Sequence, residues 1–247
     1  MDTWKIVALD TGTSVIEKSI LTYLTDAGTS VKIPRVMWYV QGSGHRIIVD
    51  TSVESETVAR EIIGENLTRC RDQVPQAALL RIGVDPEDID LVVFTHLHWD
   101  HCGNNHLFPH ARFVAQKDEI IYATSPGPFF QRAFLSPAAG LTPPYTGIRL
   151  EPVKGDLELW PGVQLLHCPG HTPGSQAVRI KTIVGWYTIA GDAVFTYENL
   201  EQNIPPGFHI NVDQSMASMQ RISQVSDYVL PSHDYGVFGE HLVAEFG

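Results

Sequence analysis

Residues 95–104, THLHWDHCGN, set His96, His98, Asp100 and His101 within six positions, directly after the apolar run LVVF. Alternate side chains of an extended chain share a face, so His96 and His98 project to one side. A tight turn then lets Asp100 and His101 face a second point close by. Two imidazoles on one point, and a carboxylate with an imidazole on another, suit zinc or a similar first-row divalent ion. Each such ion takes four or more ligands, so more donors must come from elsewhere in the chain. His171 follows a Pro-Gly turn in HCPGHTPG, Asp192 follows an apolar run in TIAGDAV, and His233 follows another in VLPSHD. A lone histidine in such a place is ordinarily a hydrogen-bonded structural residue; the ordered set is what points to metal. Cys102, beside His101, reads as a small buried packing residue, because thiol catalysis needs a base not already committed to metal.

The elements that carry these donors follow from apolar patterning. KIVAL (5–9), RVMWYV (35–40) and RIIVD (46–50) predict an early sheet. DIDLVVFT predicts a buried strand whose C-terminal end delivers His96, the place where α/β folds commonly put their chemistry. RFVAQ, IRLEPV, LELWPG, VQLLHC, QAVRIK, IVGWYTIAGD and DYVLPSHD predict further strands. Helices are expected over 54–63, over 74–82 with Gly83 closing it, from Lys117, and from Asp213 as N-cap with Met216, Met219 and Ile222 on its buried face. Each half runs strands first and helix last. That order predicts an α/β fold, an αββα sandwich of two mixed β-sheets with helices on the outer faces, in one domain over 1–247.

Two segments stand outside this scheme. Residues 14–34 are too long for a tight turn and are expected as an insertion, either a lid or a partner-contacting loop such as a homodimer would use. Residues 125–147, rich in Pro, Gly and aromatics, are expected as a cap. With Trp99, Phe129, Phe130 and Phe134 they would line an apolar substrate pocket.

Composition narrows the function. A formal net charge of -11 argues against the clustered basic surface that nucleic acid or anionic membrane requires, and no run of Lys and Arg suggests a local one. MDTWKIVALD has no signal-peptide pattern, no stretch approaches ~20 apolar residues, and three cysteines fit a reducing compartment. A soluble cytoplasmic protein acting on a small molecule is the expectation.

The order H-x-H-x-D-H, then His, Asp and His, resembles the metallo-β-lactamase superfamily, and the resemblance runs from about Ile6 to His233. It implies that His96, His98 and His171 bind one ion, that Asp100, His101 and His233 bind the other, and that Asp192 bridges them. Asp50, ending RIIVD, matches the carboxylate that orients a ligand imidazole in that family; the Thr-Gly that follows there is Thr51-Ser52 here. HWDHCGNNHLFPHA, PGVQLLHCPGHTPGSQ, GDAVFTYEN and the terminal SHD are most similar to the N-acyl-homoserine lactonases and pyridoxolactonase. This likeness implies a hydrolase of ester bonds that opens a lactone or a related carboxylic ester. Two divalent ions, zinc (Zn2+) first with Fe, Mn or Co as alternatives, would hold a hydroxide against the carbonyl, with Asp100 and Asp192 taking part in catalysis.

One position departs from those lactonases. The tyrosine they carry three residues after the bridging aspartate is Phe195 here, and a phenyl ring donates no hydrogen bond. Losing such a donor costs on the order of 3 kcal/mol in a related transition state. Either Tyr197, two residues on, reaches the same space, or the substrate is a different small carbonyl compound. A mono-iron dioxygenase using His96, His98, His171 and Asp192, a phosphodiesterase, and a binding module with a vestigial site are the competing readings.

Overall fold

The computed structural model describes residues 3–239 and 241–247. Seven strands come first along the chain: β1 (Lys5–Glu17), β2 (Ser30–Gly42), β3 (His45–Val49), β4 (Asn66–Thr68), β5 (Leu91–Val93), β6 (Arg112–Gln116) and β7 (Leu150–Val153). The second half adds β8 (Leu157–Trp160), β9 (Val163–His167), β10 (Gln176–Lys181), β11 (Trp186–Ile189), β12 (Tyr228–Leu230) and β13 (Val243–Phe246). The first sheet runs β13-β1-β2-β3-β5-β6-β7, with β4 pairing β1, and the second runs β12-β11-β10-β9-β8. Both are mixed, since β3, β5, β6 and β7 pair in parallel, as do β11 and β12, while the other pairings are antiparallel.

Period-two alternation decides which side chain faces which layer. Ile6 and Ala8 of β1, Trp38 and Val40 of β2, and Ile47 and Val49 of β3 point between the sheets, where they meet Leu165, Val178 and Ile189 of the second sheet. Their neighbours Val7, Leu9, Met37 and Ile48 point outward, under Leu79 of α2 (Pro75–Arg81) and Ala123 of α3 (Lys117–Thr124). On the far side Leu166 and Ala177 meet Met219 and Ile222 of the helix over Val212–Val225. The layers are therefore helix, sheet, sheet, helix. Each fully buried aliphatic side chain in them contributes roughly 1.5–3 kcal/mol.

Several elements differ from the sequence expectation. Residues 14–34 are not an irregular loop: β1 and β2 stay paired out to Glu17↔Ser30, and α1 (Lys18–Leu21) closes the tip, so the segment is a hairpin arm. Ile16, Ile20, Leu21 and Ile33 of the arm face the functional pocket rather than the core. The helix expected over 54–63 is a π-helical turn over Val58–Ile63, ended by Gly64 at φ 85°. Another short helix, α4 (Tyr197–Gln202), follows β11, and the long helix α5 (Val212–Val225) is capped by Asn211, whose side chain accepts from the Gln214 N–H, with Asp213 inside its first turn. Asp213 is displaced as cap by the one residue that precedes the helix with extended backbone. Segment 125–147 is built of turns, including 3-10 turns at Pro128–Phe130 and Pro137–Ala139. Among the described residues no helix is long and apolar enough to cross a membrane.

Candidate metal centre

The donors sit in loops that leave β3, β5, β9, β11 and β12. Asp50 comes first along the chain and organises the rest. Its backbone is left-handed at φ 58°, a conformation that non-glycine residues adopt rarely and at a cost. Its Oδ1 accepts from the Thr95 N–H and its Oδ2 from the Thr95 hydroxyl, both at 2.7 Å. That hydroxyl has given its only proton away, so at 3.1 Å from His96 it accepts from Nδ1 and leaves Nε2 bare. The same reasoning fixes three more rings. His101 Nδ1 donates to Asp50 Oδ2 at 2.8 Å, His171 Nδ1 to the Phe208 carbonyl at 2.7 Å, and His233 Nδ1 to the Pro34 carbonyl at 3.1 Å. Four imidazoles thus turn Nε2 rather than Nδ1 toward one space, the nitrogen left free for a metal once each ring is neutral.

Within that space the donors form two groups, His96, His98, His171 and Asp192 in one and Asp100, His101 and His233 in the other, with the ligand atoms of each group within 4.8 Å of one another. Asp192 stands between them. Its Oδ2 lies 3.5 Å from His96 Nε2 and 3.3 Å from His171 Nε2, and its Oδ1 lies 3.2 Å from His101 Nε2 and 3.3 Å from His233 Nε2. The bare nitrogens of His96 and His171 are 3.1 Å apart, two lone pairs facing each other, and His98 Nδ1 is 3.0 and 2.9 Å from them. Asp192 Oδ1, His98 Nε2 and His101 Nε2 are buried with no aligned hydrogen-bond partner. Buried polar atoms left in that state are costly, and facing lone pairs repel, so the donor set fits divalent cations and little else.

The electrostatics agree. Burial pushes His96 and His98 well below the ordinary imidazole range, and His171 below it, so these rings are neutral and free to ligate. Burial opposes the charge of Asp192, yet His101, His233, His96 and His171 together hold its carboxyl well below the usual value. Burial likewise opposes a proton on His101, but Asp192, Asp100 and Asp50 hold its pKa well above the ordinary one. The centre demands positive charge, which a proton on His101 supplies when no cation does.

A family model for the metallo-beta-lactamase superfamily matches residues 32–233. The chain belongs to the metallo-beta-lactamase superfamily. It is 27% identical over 253 residues to an N-acyl homoserine lactonase of Bacillus sp, covering 98% of this chain and 95% of that one. A probable metallo-hydrolase of Methanocaldococcus jannaschii is 27% identical over 182 residues, covering 74% of this chain and 75% of that one. Among solved structures, a quorum-quenching N-acyl homoserine lactone lactonase superposes with a TM-score of 0.80 at 23% identity, over 96% of this chain and 95% of that one. Another, an N-acyl homoserine lactone hydrolase with the product N-hexanoyl-L-homoserine at its catalytic metal centre, gives 0.81 at 22% identity over 96% and 95%. The αββα sandwich is therefore the fold of this chain, and its relatives are hydrolases.

In this superfamily member a cavity of about 260 Å³ opens over the donors. Ile16, Ile20, Leu21 and Ile33 of the arm form one wall, Trp99 and Phe129 another, and Phe195 and Phe208 a third. Phe195 is buried, its ring centroid 5.5 Å from that of His171 and 5.4 Å from that of His233. Phe130 is not in the lining; it packs behind, 5.1 Å from Phe129 and 5.3 Å from Phe208. Phe134 is fully buried with its ring 4.6 Å from that of His98. Tyr197 is not in the lining either. It opens α4, where its N–H donates to Asp234 and its ring packs against the core between the sheets. Its side chain leaves the pocket because the capping turn at Thr196 reverses the direction an extended chain would give it. Cys102 is buried, and its thiol donates to the His98 carbonyl at 3.1 Å, with burial pushing its pKa well up.

Two polar features escaped the sequence reading. Glu119, on α3, accepts from the Leu97 N–H at 2.9 Å, the Thr172 hydroxyl at 2.5 Å and the Gly174 N–H at 3.2 Å, tying the His96–His98 loop to the His171 loop. Burial pushes its carboxyl up to about 7 against those three donors. Arg35, on β2, lines the pocket with its guanidinium hydrogen-bonded to Asp100 and Glu65, its Nε donating to Ser14 at 3.0 Å, and its plane 5.3 Å from the Trp99 ring. Burial opposes its charge, but the Glu65 and Asp100 carboxylates more than offset that and raise its pKa. In the sequence both residues read as parts of ordinary elements, and only folding brings them to the donors.

Proposed function

We propose that this protein is a metallohydrolase that opens a lactone or a related carboxylic ester, with acyl-homoserine lactones the first class to test. The observation that carries the reading is the convergence of seven donors, three on either side of Asp192 and Asp192 itself, at the floor of a mostly apolar cavity. In this reading His96, His98 and His171 would hold one divalent ion and Asp100, His101 and His233 a second, with Asp192 available to both and zinc the leading candidate. When bound, such ions acidify a shared water and polarise a carbonyl oxygen. The chain's own residues then do the positioning. Asp192 sets the spacing of the two groups, Asp50 and the carbonyls of Phe208 and Pro34 lock the rings, and the apolar walls exclude bulk water from an ester. Asp100 stays ionised despite its burial, because Arg35 and His101 hold its pKa down. It is set to take a proton on its carboxylate as the nucleophile forms its bond and to return it to the leaving alkoxide.

Neither Phe195 nor Tyr197 offers a phenol to the substrate, so these walls would meet its acyl chain and ring through apolar contact alone. Besides the donors, the polar side chains lining the cavity are Arg35, Glu65 and Arg132. Arg35 is committed to two carboxylates. The test is turnover of short- and long-chain acyl-homoserine lactones, aromatic lactones and linear esters by purified protein, with metal content measured on the same sample. Ring opening by metal-loaded protein is expected. Full metal loading with no turnover of any lactone or ester would sink the reading.

A further inference from the structure

We propose that Arg35 makes the Asp100–His101–His233 group the weaker of the two metal sites, so that the protein keeps one ion firmly and exchanges the other with its surroundings. This rests on the two-ion reading above and concerns how that centre is filled. Arg35 Nη1 donates to Asp100 Oδ2. This is the carboxylate oxygen that lies 3.6 Å from His101 Nε2 and 3.9 Å from His233 Nε2, and so the one placed to share an ion with those rings. An ion entering this group must share that oxygen with a guanidinium, which carries a permanent charge. The guanidinium cannot swing away. It is 4% exposed, held by Glu65 through Nη2 and by Ser14 through Nε, and stacked on Trp99. No arginine or lysine among the described residues donates to His96, His98, His171 or Asp192, so the other group has no such competitor. Glu65 moderates the effect, because it draws one end of the guanidinium away from Asp100.

A different role for the same contact has the opposite sign. If Arg35 served chiefly to orient Asp100 for ligation, removing it would loosen the second ion. Titration of metal-free protein with Co2+, followed by calorimetry and by visible absorption, separates the two. For the intact protein we expect two steps whose affinities differ by ~100-fold or more. Arg35→Met, which keeps the stack on Trp99, should tighten the second step by ~10-fold and leave the first within ~3-fold. Glu65→Gln, which leaves the guanidinium wholly to Asp100, should weaken the second step by several-fold; should Arg35→Met fail to fold, the sign of this change decides. Two steps of equal affinity in the intact protein, a second step loosened by Arg35→Met, or one tightened by Glu65→Gln would overturn the proposal alone. No uptake of Co2+ at all would overturn it together with the two-ion reading.

Discussion

Asp192 is the residue on which both groups of donors depend, since each of its oxygens faces a different pair of imidazoles. Asp192→Asn removes the charge and puts an amide N–H against a bare ring nitrogen. Metal content should fall below one ion per chain and turnover by ~1000-fold or more, as read by elemental analysis and steady-state rates on one preparation. Asp50 acts through others, so Asp50→Asn should keep the fold and lower metal affinity by ~10–100-fold, measured by competition with a chromogenic chelator. In metal-free protein the sign of the pH dependence follows from the buried rings. His96, His98 and His171 have depressed pKa values, so below their ordinary 6.5 the unfolded chain takes up protons that the native chain refuses, and stability falls as the pH falls. Glu119, raised from 4.5 to about 7, and His101, held well above 6.5 by Asp192, Asp100 and Asp50, work in the opposite sense, two protons against three. Urea midpoints in chelator should therefore drop from pH 6.5 to 5.5, and more steeply in Glu119→Gln. The seven donors were legible because the sequence concentrates them after apolar runs. Arg35 was not, since its meaning comes from Asp100, 65 positions away. Phe130 and Tyr197 were placed in the pocket by proximity in sequence, and turn geometry moved both out.

At the scale of elements, the arm formed by β1, α1 and β2 is fastened rather than free. The Ile20 carbonyl accepts from the Gly207 and Phe208 N–H groups at 3.0 and 3.1 Å, Asn199 donates to the Leu21 carbonyl at 2.9 Å, and Lys18 pairs with Glu198. Gly207 permits this contact, for a Cβ there would lie 1.7 Å from the Ser19 carbonyl oxygen. Gly207→Ala should force the arm and the 203–209 loop apart, costing about 1–3 kcal/mol of stability and weakening metal uptake at the group that includes His171, whose ring is fixed by the Phe208 carbonyl. Denaturation and metal titration of the one variant would check both. Sequence patterning found the inner strands and the long helices. It missed the outer half of the arm, because Ile16, Val31 and Ile33 answer to a pocket with Phe195 and Phe208 rather than to either sheet's core. It also missed β4 and β13, three and four residues long, whose strand character comes from pairing with β1.

For the whole molecule, the centre is where the two sheets meet chemically. His96, His98, Asp100 and His101 follow β5 of the first sheet, while His171, Asp192 and His233 follow β9, β11 and β12 of the second. Bound ions would cross-link the sheets, and ligation of the native state alone stabilises by about 4 kcal/mol at 1,000 times the dissociation constant. Chelation should lower the midpoint of thermal unfolding by roughly 8–16 °C, given about 2–4 °C per kcal/mol at this size, and calorimetry with and without chelator would show it. That two sheets would face each other was legible from the order of elements, strands first and helix last in each half. Which strands become neighbours was not, because β13 reaches β1 from the other end of the chain. Phe208 gives this architecture a bearing on how the protein can change over generations. Its ring walls the cavity while its carbonyl holds His171, and the loop around it is clasped to the arm. Lineages can therefore exchange the side chain there and drift in substrate preference, but an insertion or deletion in that loop would cost them the ligand; new loop lengths are open to descendants only where the backbone holds no ring.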